Sequence, residues 1–591
     1  MDPILGIKQS ISGRTWNKRL LDNNGNERLV YAIIQRHNLP EIIARTIVAR
    51  GVALDDIEAY LTPKLRHEIP DPLKIKDMDV AVRRIINAVT SNETIGIFAD
   101  YDVDGATSSA LLKIFLDSIG IKNCLYIPDR MTEGYGPNEK GLRKLWKQGA
   151  NLVLTLDCGI LAHDVIDKMV QEGLDVIVVD HHMAEPQLPN ASAIVNPNRL
   201  DDESNLGNLA AVGVTFLLLV AVTRELRERG WFKTVNEPDL LEWLDLVALG
   251  TVCDVVDLKG LNRAFVAQGL RVLSRQKNVG LKALRTSARV DSKPDAYQLG
   301  FILGPRINAA GRVGRSDLGA RLLSTNDPSL ADELALILEN QNEDRKNLES
   351  DVLEQAILEV QQSNSEDPVL LVAGNEWHPG VIGIVAARLR EKFDKPACVV
   401  SLKEGVGKGS GRSIPGWHLG SAIITGVQMG LLLSGGGHGM AAGFSIKESN
   451  LAEFRNVLNN HFRNENEGLE QQSILKVDGI LSASSANHDL LTLLNQLEPY
   501  GAGNPEPLFV IPRLRIKYSS VVGEQHIKCS LIGADSTTIE GIAFRAVDRK
   551  IGTELLKRDG LPLHVLGKVR GNNWQGRTKV QLVIEDLARA D

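Results

Sequence analysis

Three aspartates fall within five residues in TIGIFADYDVDGATS (residues 94–108), at Asp100, Asp102 and Asp104, and Gly105 follows them. Two more apolar runs end the same way. NLVLTLD closes on Asp157, and LDVIVVD closes on Asp180 with His181 and His182 behind it. A later apolar run, LDLVALGTVCDVVDL, supplies Asp254 and Asp257. One aspartate after such a run is an ordinary cap or turn former, but the repetition points to a shared purpose. Carboxylates packed together repel one another and shift toward protonation unless cations hold them, so the pattern predicts a metal centre. Carboxylates alone favour magnesium or calcium, and an imidazole moves the expectation toward manganese with magnesium still compatible. Thiolate spacing for a structural zinc is absent. Two cations about 3.5–4 Å apart, bridged by a carboxylate, would bind a phosphate oxygen and acidify a water for in-line attack. Adjacent histidines point in different directions, so one is expected on metal and its neighbour on substrate or in support.

These residues need a scaffold that brings them together. From about 80 to 255, apolar runs alternate with amphipathic stretches, the signature of a mostly parallel sheet with helices on its faces. In such a sheet the C-terminal strand ends share one edge, and ligands bind in the crevice there. The stretch from Ser329 to Gln361 holds no Gly or Pro and is rich in Glu, Leu and Ala. It predicts a connecting helix of roughly 50 Å. DPVLLVAG then opens a second α/β unit, which contains the glycine run SGGGHGMAAGF. After the charged stretch HFRNENEGLEQQ, alternating segments such as FVIPRLRIKY and KVQLVIEDL predict a small β-barrel. The expected organisation is an N-terminal region at 1–75 with no readable role, a catalytic α/β domain at 76–328, the helix at 329–361, a second α/β domain at 362–455 and the barrel at 468–591.

At 591 residues and 43% hydrophobic content the chain is too long for one core, and three or more domains are expected. A net charge of −7 argues against a protein coated in positive charge but leaves room for a local basic channel. The first twenty residues lack a secretory signal and no apolar stretch is long enough to span a bilayer, so a soluble, cytoplasmic protein without membrane contact is expected. The five cysteines are scattered, without disulfide or zinc spacing.

DYDVDG at 100–105, LDCG at 156–159, VVDHH at 178–182, ALGTVCDVV at 248–256, GPRINAAGR at 304–312, WHPGVIGIVAARL at 377–389, GSGRSI at 409–414 and GGGHGMAAG at 435–443 occur in the order and spacing of one family. On these motifs the chain resembles the DHH phosphoesterase superfamily, and within it the exonucleases that act on single-stranded DNA. The resemblance implies a di-metal site, with Mn2+ or Mg2+ held by Asp102, Asp104, Asp157, His181 and Asp254. Asp157 would be the bridge, Asp100 a weaker candidate ligand and His182 a catalytic support. Ala99, Cys253 and Asp257 depart from the usual pattern, and none is a proposed ligand.

The second α/β unit resembles the substrate-binding domain of these enzymes. Gly436 and its neighbours allow close backbone approach, His438 can donate to phosphate, and Arg412 with Ser410 and Ser413 offers a multidentate donor. Arg306, Asn308 and Arg312 form another candidate cradle. The barrel resembles an OB-fold, with Arg513, Arg515, Lys517, Arg545, Lys568, Arg570, Trp574, Arg577 and Lys579 as candidate contacts to a strand. Arg513, Arg515 and Lys517 alternate, which predicts one strand face. The resemblance further implies 5′ to 3′ hydrolysis releasing 5′-mononucleotides in repair and recombination, a monomer, and a single-strand-binding protein and a helicase as partners. A hydrolase of small phosphoesters and an inactive replication scaffold are the alternatives.

Overall fold

The computed structural model describes residues 3–362, 367–465, 473–557, 559–574 and 577–590, with side chains 573–577 left out. Residues 3–61 contain strand β1 (Thr15–Lys18) and the helices Asn24–His37 and Glu41–Ala49. The first α/β unit carries β2 (Thr94–Ala99), β3 (Asn123–Tyr126), β4 (Ala150–Leu156), β5 (Asp175–Val179) and β6 (Ala193–Val195). These pair in the order β3-β2-β4-β5-β6, all parallel. Helices cover both faces, so the strands are buried on both sides, which is why they read as unbroken apolar runs rather than alternating ones. Register does the positioning. Ala99 pairs with Leu156 and Leu156 with Val179, so the next residues, Asp100, Asp157 and Asp180, emerge side by side on one edge.

The helix Pro328–Gln362 is continuous over 35 residues. Its first half buries Ala331, Leu334, Ala335 and Leu338 in the core of the first unit, and its second half buries Val352 and Ala356 against the next. That next unit is a mixed sheet of β7 (Leu370–Asn375), β8 (Ala397–Lys403), β9 (Val406–Arg412), β10 (Leu432–Gly437) and β11 (Ala441–Lys447), ordered β10-β11-β9-β8-β7. Its last helix, Leu451–Glu465, runs past the expected boundary at 455.

The final unit comprises β12 (Ile474–Val477), β13 (Gly479–Ile480), β14 (Phe509–Val522), β15 (His526–Ile532), β16 (Thr538–Ala543), β17 (Leu563–Trp574) and β18 (Arg577–Arg589). Besides the order β13-β14-β15-β16-β18-β17, β14 pairs with β17, which closes a barrel. The expected start of this unit at 468 lies outside the described residues.

The N-terminal region gains a place that its sequence did not reveal. β1 pairs in parallel with β12, and Val30, Ile33, Ile43 and Ile47 join the barrel's hydrophobic core. Trp16 is fully buried and donates its indole N–H to Asp586 at 3.0 Å. Arg50 and Asp478 form a buried ion pair at 2.6 Å, to which Arg19 adds a second guanidinium at 3.0 Å. Leu65 and Ile75, by contrast, belong to the core of the first α/β unit. The expected region 1–75 is therefore divided near residue 62 between two bodies.

Candidate metal centre and phosphate cleft

Asp102 caps the helix Val103–Ser118, its Oδ1 accepting from the Gly105 N–H at 3.1 Å. Gly105 is required there, since a Cβ would stand 2.3 Å from the Asp100 carbonyl oxygen. Two residues on, Asp104 accepts from the N–H groups of Ala211 and Val212 at 2.7 and 2.9 Å, the free donors at the start of the helix Ala211–Glu228. Asp254 follows the helix Leu244–Cys253, so the apolar run before it is helical rather than another strand. Asp157 sits in the left-handed region at φ +60°, a strained geometry for a residue with a Cβ.

These elements bring the acidic residues and His181 into contact. His181 Nε2 lies 3.3 Å from Asp157, 3.6 Å from Asp254 and 3.9 Å from Asp104. Three sets have ligand atoms within 4.8 Å of one another: Asp104, His181 and Asp254; Asp100, Asp102 and Asp157; and Asp157, His181 and His182. Asp157 and His181 each belong to two sets, a geometry suited to two adjacent cations. Burial pushes the Asp100 carboxyl up to about 8, with Asp102 adding to it. Burial and Asp102 raise Asp254 to about 7. Asp104 and Asp157 are also driven far above the carboxylate range, by burial first and by their acidic neighbours next. Asp100 Oδ1, Asp157 Oδ1 and His181 Nε2 are buried without a hydrogen-bond partner, and a divalent cation satisfies all three, so the residues fit the metal.

Asp180 plays a different part. Its Oδ1 accepts from the His181 and His182 N–H groups at 2.7 and 3.2 Å and lies 2.7 Å from His182 Nδ1, while Oδ2 accepts from Ile160 N–H. Burial alone would raise this carboxyl, but the bonds from His182 hold it below its ordinary value. The same pairing raises His182 in spite of its own burial. His182 is thus held in one orientation at the rim of the cluster. Tyr135, which sequence reasoning missed, donates to the Asp157 carbonyl at 3.2 Å and lies 3.3 Å from His182 Nδ1.

A cleft of about 360 Å³ joins the first α/β unit to the second, lined by Arg130, Arg312, Lys408, Ser410 and Arg412. None of its four cations has an ion-pair partner among the described residues. Burial and the charges of Arg130, Arg345 and Arg412 pull Arg312 down to about 10, and burial and Arg130 depress Arg412 as well. A site that destabilises its own cations is prepared for an anion. Arg130 lies over the Tyr101 ring at 5.1 Å, and Tyr101 stands between Asp100 and Asp102, so cleft and carboxylates are contiguous.

Some expected contacts stand elsewhere. Arg306 forms a two-point ion pair with Glu339 at 2.5 and 3.0 Å, away from the cleft. Ser413 is fully buried and donates to the Trp417 carbonyl. Asn308 is half-buried one turn before Arg312, while Gly436 and His438 are exposed outside the cleft. On the barrel, Arg513, Arg515 and Lys517 are exposed in alternation, with Arg515 donating to the Gly560 carbonyl. Lys568 and Arg570 are engaged by Glu506. The Trp574 and Arg577 side chains lie outside the described set.

Carboxylates gathered at the strand ends, beside guanidinium groups with no ion-pair partner among the described residues, define a phosphoesterase of the DHH class. Residues 94–251 match the DHH family, N-terminal domain, residues 366–464 the DHHA1 domain, and residues 477–586 the RecJ OB domain. The chain belongs to the RecJ family. It is 36% identical over 565 residues to the single-stranded-DNA-specific exonuclease RecJ of Dickeya dadantii, covering 93% of this chain and 96% of that protein. Identity is 34% to the Escherichia coli protein of the same name, with the same coverage. The crystal structure of RecJ from Thermus thermophilus in complex with Mn2+ superimposes with a TM-score of 0.79 at 28% identity, over 96% of this chain and 78% of that one. A Mg2+ complex of the same protein matches with a TM-score of 0.73. The acidic and histidine groups here accordingly form a site for divalent metal ions.

Proposed function

We propose that the protein is a metal-dependent exonuclease that hydrolyses single-stranded DNA from the 5′ end to 5′-mononucleotides. The observation that carries this reading is the cleft, where cations with no ion-pair partner among the described residues are continuous through Tyr101 with a carboxylate cluster holding orphaned ligand atoms. Metal ligands in this reading are Asp102, Asp104, Asp157, His181 and Asp254, with Asp100 beside them. When bound, two divalent cations neutralise the phosphoryl group and acidify water. The chain's own part is positional and electrostatic. Amides of Ala211 and Val212 fix Asp104, and Asp180 fixes His182, whose ring is placed to donate to a phosphate or leaving oxygen. Arg130, Arg312 and Arg412, with Ser410, bind the phosphate so that the bond to be cut lies against the carboxylates.

The 5′ to 3′ polarity, the role in repair and recombination, a monomeric state in the cytoplasm, and partnership with a single-strand-binding protein and a helicase rest on the family resemblance. No helix among the described residues is long and apolar enough to cross a membrane. The test is product analysis of single-stranded, blunt and 5′-tailed DNA, labelled at either end, with Mn2+ or Mg2+. Rapid shortening of the single strand from its 5′ end is expected, and equal attack on the blunt duplex or release from the 3′ end would overturn the reading.

A further inference from the structure

Tyr297 and Phe301 are 55% and 71% exposed, yet their rings stack on each other with centroids 5.0 Å apart and planes 20° from parallel. Such surface is ordinarily buried, and here it is held out by its backbone. The π-helical turn Gln298–Leu303, a feature common at functional sites, carries Phe301 and follows directly on Tyr297. It is clamped against the helix that delivers Asp254. The Cys253 thiol donates to the Leu299 carbonyl at 3.4 Å, and a Cβ on Gly300 would lie 3.3 Å from Val252 and one on Gly304 2.4 Å from the Cys253 sulfur. Gln298, nearly buried, fastens the preceding loop through bonds to Ser292 and the Lys293 carbonyl. On its other flank that loop approaches the barrel unit, where Lys293 and Asp295 act on Glu498, and Asp295 on Arg570. The segment that carries the ring pair is thus tied at one end to the barrel unit and at the other to the helix that delivers Asp254.

We propose that Tyr297 and Phe301 form a base-stacking platform for single-stranded DNA entering the metal site. This rests on the nuclease reading above. Lys293 and Asp295 on the preceding loop are polar, so the apolar surface is about two rings wide, the footprint of a base step and far below that of a protein interface. Every nucleobase offers a π face, so such a platform holds a strand without reading its sequence. In a duplex those faces are covered by neighbouring pairs, which makes the platform selective for unpaired strands.

The test compares the parent full chain with Tyr297→Ala, Phe301→Ala and Phe301→Trp in the metal-free state. Fluorescence anisotropy reads Kd for oligodeoxythymidylate and for an abasic oligonucleotide of equal length at fixed salt. Each alanine variant is expected to bind the thymidylate strand roughly 10-fold more weakly, as loss of one stacked base predicts. Affinity for the abasic strand should be unchanged, and Phe301→Trp should retain parental affinity. Parental affinity of both alanine variants for thymidylate, or an equal loss on the abasic strand, overturns the platform. Thermal melts identify an unfolded variant, and Tyr297→Ala with Phe301→Trp then decides alone. A parent protein that neither binds nor shortens single strands defeats the nuclease reading itself, and the platform with it.

Discussion

Asp157 combines a left-handed backbone, near-complete burial and an oxygen with no partner, three costs that only a ligand repays. Asp157→Asn should reduce hydrolysis to background, while the protein still binds single strands through the cleft and barrel. It should also raise the melting temperature of the metal-free protein by a few degrees, since it removes one of several crowded charges. Calorimetric titration with Mn2+ alongside melting curves checks both, and parental metal stoichiometry would contradict the assignment. The same crowding sets a pH dependence. Asp100 near 8 and Asp254 near 7, together with Asp245, which burial raises to about 7, keep protons that the unfolded chain has released above about pH 4. More protons are then bound in the folded state, so stability falls as pH rises from about 4 to about 8. Metal-free protein should melt progressively lower across that window, and Mn2+ should raise its melting temperature more at pH 8 than at pH 5.5.

Helix and strand meet at Gly105, where the helix Val103–Ser118 comes so close to Asp100 that its backbone leaves no room for a methyl group. Gly105→Ala should cost about 2–4 kcal/mol of stability, as overpacking against backbone does, and should lower metal affinity by displacing Asp100 from Asp102 and Asp104. Chemical denaturation and Mn2+ titration read the two effects separately. The strand ends were legible because a parallel sheet buried on both faces writes itself as apolar runs, and each run stops where the edge begins. The long helix was legible because nothing in Ser329 to Gln361 breaks one. Less was visible where a linear motif hides a rotation. Arg306 and Arg312 lie six positions apart, about 240° around the helix axis, so Arg312 enters the cleft while Arg306 meets Glu339. Arg130 and Tyr135 were missed because they lie in an irregular loop with no periodicity. The only hint was a polar stretch holding Gly134 and Gly136, both with positive φ.

The chain folds into three bodies, and their joints determine which truncations are informative. Removing residues from 468 onward would strip β1 of its partner and expose Trp16, Val30, Ile33 and Ile47, so that variant should aggregate. Removing 1–61 together with 468–591 should leave a soluble two-unit core that cleaves dinucleotides but shortens long strands poorly. Light scattering and product ladders for the two truncations test this. Arg263 marks the seam that the truncation opens, donating to the carbonyls of Tyr60, Leu497 and Glu498 at 2.9, 3.1 and 2.7 Å. The pairing of β1 with β12 also governs how the protein is made. Arg19 must wait for Asp478, 459 positions later, and at roughly 5–20 residues per second the ribosome takes on the order of 20–90 s to supply it. For that interval the nascent segment carries an apolar face with nothing to fold against, so holding chaperones should engage it early.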